Sequence, residues 1–177
     1  MRMEFPPQEH IFRGLEEEQA LLGHKLDWED LLKKNKISSE RKPFRKWVEI
    51  IQNIYPENPA VPQRKWGKDL YNFVADQLKL NLDDIESLKF YKTIGTDLDR
   101  MGVDCFFIFK NPETYKEAVF TIDLTINPKK DEAKADMVVK TDEIPDHRTD
   151  EEDYIVKMEK LAEQIAEQLK NRTKFTH

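Results

Sequence analysis

The chain has 177 residues, 38% hydrophobic and 36% charged, a length that suits one domain with a small appendage and a core built without disulfides. Ten Phe, five Tyr and three Trp argue against global disorder, and the single cysteine, Cys105, rules out an intramolecular disulfide or a cysteine zinc cluster. The net charge of −6 hides a gradient, because residues 31–68 carry +7 while residues 1–30 carry −5 and residues 131–170 carry −7; phosphate binding depends on such a local patch and not on the total.

The apolar runs are short, so no membrane-spanning segment is expected. The opening MRMEFPPQEH lacks an apolar stretch behind its Arg and does not read as a secretory signal, so a soluble, cytoplasmic protein is expected. The first half of the chain reads as helices. Residues 27–35 start with Asp27 as a helix cap. Ser38 or Ser39 would cap the next helix, whose apolar stripe is Phe44, Trp47, Val48, Ile50, Ile51 and Ile54. Pro56, Pro59 and Pro62 forbid a continuous helix and mark a linker, so a helical N-terminal extension over 1–60 is separated from a core over 61–177. A further helix fits 63–79, with Trp66, Leu70, Phe73, Val74 and Leu78 on one side.

The period then changes from helical to extended. Strands are predicted over 88–94, over 103–109 and over 118–126, where Phe120, Ile122, Leu124 and Ile126 alternate with Thr121, Asp123 and Thr125. A short helix fits 130–136, a fourth strand 137–141 and a loop 142–150. A long helix over 150–171 carries Tyr154, Ile155, Met158, Leu161, Ala162, Ile165, Ala166 and Leu169 in register. The expected fold class is therefore α/β with α+β character: a small mixed four-stranded sheet flanked by helices.

The chemistry-bearing stretch is Gly95-Thr96-Asp97-Leu98-Asp99-Arg100-Met101-Gly102-Val103-Asp104, followed by Asp123 within a strand. Asp104 opens the second predicted strand and Asp123 lies nineteen residues on, so a hairpin sets the two side by side near one end of the sheet. Asp123 has apolar flanks on both sides, and a buried carboxylate is normally paired or bound to a cation. Two facing carboxylates repel, which a divalent metal relieves, and magnesium characteristically uses one or two protein carboxylates together with water and phosphate oxygens. The alternative is an Asp123 that faces solvent on an amphipathic strand. A calcium loop from Asp97 onward does not fit, because Met101 stands at a ligand position and Ile108 replaces the closing Glu.

An Asp opening the second strand and an acidic residue inside the third, with the lead-in Asp99-Arg100-Met101-Gly102-Val103-Asp104 and the helix, three strands, helix, strand order over 63–141, resembles the PD-(D/E)xK nuclease superfamily, which has the restriction-endonuclease-like fold. The resemblance covers about half the chain, and its motif is short. It implies a magnesium- or manganese-dependent endonuclease acting on DNA, with Asp104 and Asp123 as metal ligands and Asp99 assisting. The family's lysine two residues after the acidic position is Thr125 here, whose hydroxyl can position water but carries no charge. Lys129, Lys130 and Lys134 follow, and Lys134 is the first choice for the missing cation, from a helix returning over the sheet. Asp69 and Asp76 are the acidic residues that the preceding helix offers. The alternative is a catalytically inactive nuclease-fold module that binds nucleic acid or a protein partner.

Among the basic residues, Lys42, Arg45, Lys46, Arg64 and Lys65, with Lys129 and Lys130, would contact nucleic acid; the competing account is a solvated face that neutralises the acidic ends of the chain. A homodimer is compatible with cutting both strands, although no residue indicates one. Cys105 alternates away from Asp104 and reads as a small core residue, and the four His lack metal-ligand spacing. Trp47 and Trp66 fit helix stripes and read as core.

Overall fold

The structure is a computed structural model describing residues 16–127 and 134–174. Helix α1 covers 16–22 of the described residues. It is followed by α2 (Trp28–Lys34), α3 (Phe44–Ile54), α4 (Lys65–Leu78), β1 (Leu88–Lys92), α5 (Asp97–Arg100), β2 (Cys105–Lys110), β3 (Glu117–Thr125), β4 (Met137–Lys140) and α6 (Glu151–Thr173). Short 3-10 turns precede β1 (Ile85–Ser87) and follow β4 (Thr141–Glu143).

The strands form one mixed sheet in the order β1-β2-β3-β4. β1 with β2 and β2 with β3 are antiparallel, and β3 with β4 is parallel. Helices cover both faces, which is why β2 reads as an unbroken apolar run. On one face α4 and α6 close over Leu88, Cys105, Phe107, Phe120, Ile122 and Leu124. On the other, Trp28, Trp47, Val48 and Ile51 of α2 and α3 pack with Tyr91, Phe106, Ile108 and Leu98. Fully burying each such Leu, Ile or Phe contributes about 1.5–3 kcal/mol relative to exposure, so both helical layers are held by the sheet and not by their own propensity. Among the described residues, no helix is long and apolar enough to cross a membrane.

Local chemistry explains the element boundaries. Asp27 caps α2 as expected, its carboxylate accepting from the Asp30 N–H at 3.0 Å. Helix α3 starts after Pro43, not at Ser38 or Ser39. Ser38 instead accepts from the Glu40 N–H at 3.1 Å within the connection, and Lys36 turns the chain at φ 54°. Pro43, with φ −61°, is already shaped for a helix entrance and lacks the N–H that would go unpaired there.

The helix expected over 130–136 lies partly outside the described residues, and 134–136 form bends. There the Asp136 carboxylate accepts from the Thr121 N–H at 2.8 Å and the Thr121 hydroxyl at 2.9 Å, and the Asp136 N–H donates back to that hydroxyl. This reciprocal pairing with β3 satisfies the backbone without a helical turn.

Candidate metal centre

Helix α5 orients the carboxylates. The Thr96 hydroxyl accepts from the Leu98 N–H at 3.1 Å and the Asp99 N–H at 3.4 Å, capping the turn. Leu98 is fully buried and anchors it. Gly102, at φ 80°, closes the turn in a Schellman arrangement: its N–H bonds the Asp99 carbonyl at 2.8 Å, and the Val103 N–H bonds the Leu98 carbonyl at 2.9 Å. Arg100 pairs with Asp97 at 3.2 Å. The Asp99 carboxylate accepts the Gly95 N–H at 2.7 Å, with Gly95 at φ 89°.

Asp104 follows as β2 enters the sheet. Its N–H bonds the Ile122 carbonyl at 2.9 Å, and its carbonyl accepts the Thr93 N–H at 2.8 Å. Cys105 pairs with Ile122, so the next pair outward is Asp104 with Asp123, and alternation turns both side chains away from Cys105 and Ile122. The two aspartates that the sequence singles out therefore share one face. Both are buried, at 3% and 2% exposure, in a place where ordinary surface carboxylates are not found.

Glu18 of α1 completes the group. Carboxylate oxygens of Glu18, Asp99 and Asp104 all lie within 4.8 Å of one another. Glu17, one residue earlier, accepts from the Thr141 hydroxyl after β4, which holds α1 against that end of the sheet. Sequence reasoning missed Glu18, because an acidic run ahead of Leu21 and Leu22 resembles any amphipathic helix start. Asp69 and Asp76, the residues weighed for that role, lie on α4 on the other side of the sheet. Asp69 accepts from Tyr154 at 2.9 Å and from Lys65 at 2.8 Å, and Asp76 is exposed.

Burial pushes the Asp104 carboxyl up to about 9, with Glu18 the next cause and Asp123 and Asp99 adding to it, against the lowering effect of the Leu124 N–H. A cluster of this kind favours either a proton or a cation. The donor set is all oxygen, with no imidazole or thiolate, which fits magnesium, manganese or calcium in preference to zinc. Glu18 and Asp99, half-buried, form the outer side of the cluster and the buried Asp104 its floor; Asp123, opposite Asp104 in the strand register, is not one of the three carboxylates that converge.

The lysine positions divide. Thr125 stands two pairs beyond Asp123, on the same face, and is partnered by Lys140 of β4. Val139 belongs to the opposite core, so alternation gives Lys140 the face of Asp123 and Thr125. Lys134 is exposed and lines a groove with Arg41, Asp97 and Arg100. Lys129 and Lys130 lie outside the described residues. Sequence reasoning passed over Lys140, although alternation within 137–141 carries the signal.

The remaining basic candidates are scattered. Lys42 donates to the Ser38 and Glu40 carbonyls and sits 5.6 Å from the Trp47 ring centre. Lys46 pairs with Glu49 at 2.9 Å and Lys65 with Asp69 at 2.8 Å. Arg64 packs where a Cβ on Gly23 would lie, and Arg45 lines a shallow groove with Phe44 and Glu117. Comparisons with protein-family models, curated proteins and solved structures gave no match.

Proposed function

We propose that the chain is a divalent-metal-dependent nuclease that hydrolyses phosphodiester bonds in DNA, a divergent relative of the PD-(D/E)xK superfamily. The observation that carries this reading is the convergence of Glu18, Asp99 and Asp104 within 4.8 Å, with Asp123 opposite Asp104 across the strand pair. Asp104 and Asp123 would hold the ion from the floor of the cluster, and Glu18 and Asp99 from its outer side. A magnesium or manganese ion, when bound, supplies Lewis-acid stabilisation of a phosphodiester and lowers the pKa of water. The chain itself contributes orientation: Leu124 and Gly95 fix the Asp104 and Asp99 carboxylates through backbone N–H groups. Thr125 adds a hydroxyl beside Asp123. Lys140, in register with Thr125, supports the role that the lysine of related motifs plays, offsetting negative charge next to the cleaved phosphate.

Thr125 in place of a lysine favours a second reading, a nuclease-like module that binds nucleic acid or a protein partner without cutting. Nicking of supercoiled plasmid separates the two. Cleavage that requires magnesium or manganese and is lost in both Asp104→Asn and Asp123→Asn supports the nuclease. Metal and DNA binding without cleavage by the wild-type chain supports the module. Cleavage that survives in the double variant overturns the assignment of the site.

A further inference from the structure

Beside the carboxylates, on the outer side of α5, two clefts adjoin and share Ser39, Asp97 and Arg100. One is about 540 Å³ and lies between α2 and the Gly95–Asp97 turn, with Lys25 and Lys33 in its lining. The other is about 400 Å³ and adds Arg41 and Lys134. We infer that this continuous groove seats the phosphate backbone of the DNA strand, with Lys25, Lys33, Arg41, Arg100 and Lys134 as its contacts. The inference rests on the nuclease reading for the identity of the ligand.

The state of the cations supports it. Lys25, Lys33, Arg41 and Lys134 are exposed and form no ion pair among the described residues. By contrast, Lys34, Lys46 and Lys65, from the basic stretch of the sequence, are each neutralised by a carboxylate within one helical turn. Asp27, Glu29 and Asp97 also line the larger cleft. The five cations outnumber these three carboxylates, of which Asp97 already pairs with Arg100, so positive charge is in excess along the groove. The indole N–H of Trp47, on the wall of the same cleft, has no acceptor among the described residues. Trp28 and Trp47 are almost wholly buried, so the groove offers no aromatic face for base stacking; it suits phosphates and would bind with little sequence preference. The groove flanks Asp99, whose neighbours Asp97 and Arg100 line it, so a strand lying there passes alongside the carboxylate cluster.

Fluorescence anisotropy with a labelled 20-nucleotide strand and its duplex, in EDTA and in an Asp104→Asn background, reads binding apart from cleavage. Lys33→Glu/Arg41→Glu is expected to weaken binding about tenfold or more and to flatten the dependence of log affinity on log salt by about two. Lys68→Glu/Lys160→Glu, on α4 and α6 across the sheet, should change affinity less than about twofold, and thermal melts of both variants should match that of the parent. No binding by the parent, or equal weakening by the two pairs, overturns the groove. An effect of the groove pair in a chain that never cleaves DNA sinks the nuclease reading alone; cleavage by a chain whose groove variant binds normally sinks the groove alone.

Discussion

The Leu124 backbone N–H donates to Oδ2 of Asp104 at 2.5 Å, so the residue after Asp123 holds in place the very carboxylate that Asp123 opposes. The ladder that sets the register of β2 and β3 thus also fixes the floor of the carboxylate cluster.

In the absence of metal, Asp104 makes stability depend on pH. Its carboxyl is pushed up to about 9, first by burial and then by Glu18, so the folded chain keeps a proton that the unfolded chain releases near the ordinary carboxylate range. That stability is fully present in acid and is lost as pH rises toward 9. Thermal melts in EDTA should show the melting temperature falling from pH 5 to pH 9. Asp104→Asn should flatten the curve and be about 1–3 kcal/mol more stable than the parent at pH 8.5, because the parent must take up a proton there in order to fold and the amide need not. Parallel curves for the two proteins would count against this arrangement.

Glu18 is predicted to act as a ligand. Glu18→Gln should weaken manganese binding at least about tenfold and leave the metal-free melting temperature within a few degrees. Asp69→Asn, which loses the charge paired with Lys65 on α4, should leave manganese affinity unchanged.

The two lysines separate cleanly in kinetics. Lys140→Ala is expected to lower the cleavage rate about 10²-fold with manganese affinity little changed, as for removal of one stabilising group from a site of charge development. Lys134→Ala should act on KM and spare kcat, because Lys134 lines the groove.

Asp136 locks the approach to β4. Arg172 Nη2 bonds its Oδ1 at 2.6 Å while Nη1 reaches the Val119 carbonyl at 2.5 Å, and the Arg172 guanidinium lies 5.4 Å from the Phe120 ring centre. Burial alone would raise the Asp136 carboxyl, but hydrogen bonds from Arg172 and Thr121 outweigh it and hold the group below its usual range. The resulting stability is present above the ordinary carboxylate range and is lost as pH falls below it. Asp136→Ala should cost about 2–3 kcal/mol in urea unfolding at pH 7, and less at pH 3.

Cys105 is fully buried, and burial, with Asp104 and Asp123 adding to it, pushes its thiol well up. A chromogenic disulfide reagent should therefore label it only on unfolding. Rapid labelling of the native chain would mean that the core between the sheet and helices α4 and α6 opens.

The four strands and the long C-terminal helix were legible because their periodicities are strong: Phe120, Ile122 and Leu124 alternate, and Met158, Leu161, Ile165 and Leu169 follow a helical spacing. Asp104 and Asp123 were legible because a charge between apolar flanks violates that pattern. Glu18 was hidden, since its role comes from the docking of α1 through Glu17 and Thr141, a contact 124 residues apart in sequence. Lys140 was passed over because the parallel pairing of β3 with β4 decides which residue stands beside Thr125, and local sequence does not encode that register. The basic stretch misled in detail. Charge density located it, but the side chains of Lys46 and Lys65 pair within their own helices.

Calorimetric titration of the metal-free chain with manganese is the most direct measurement of the cation site. One equivalent should bind per chain, more tightly as pH rises and Asp104 gives up its proton, and binding should disappear in Asp104→Asn and in Asp123→Asn. Absence of stoichiometric binding, or unchanged binding in both variants, would contradict a cation held by these carboxylates.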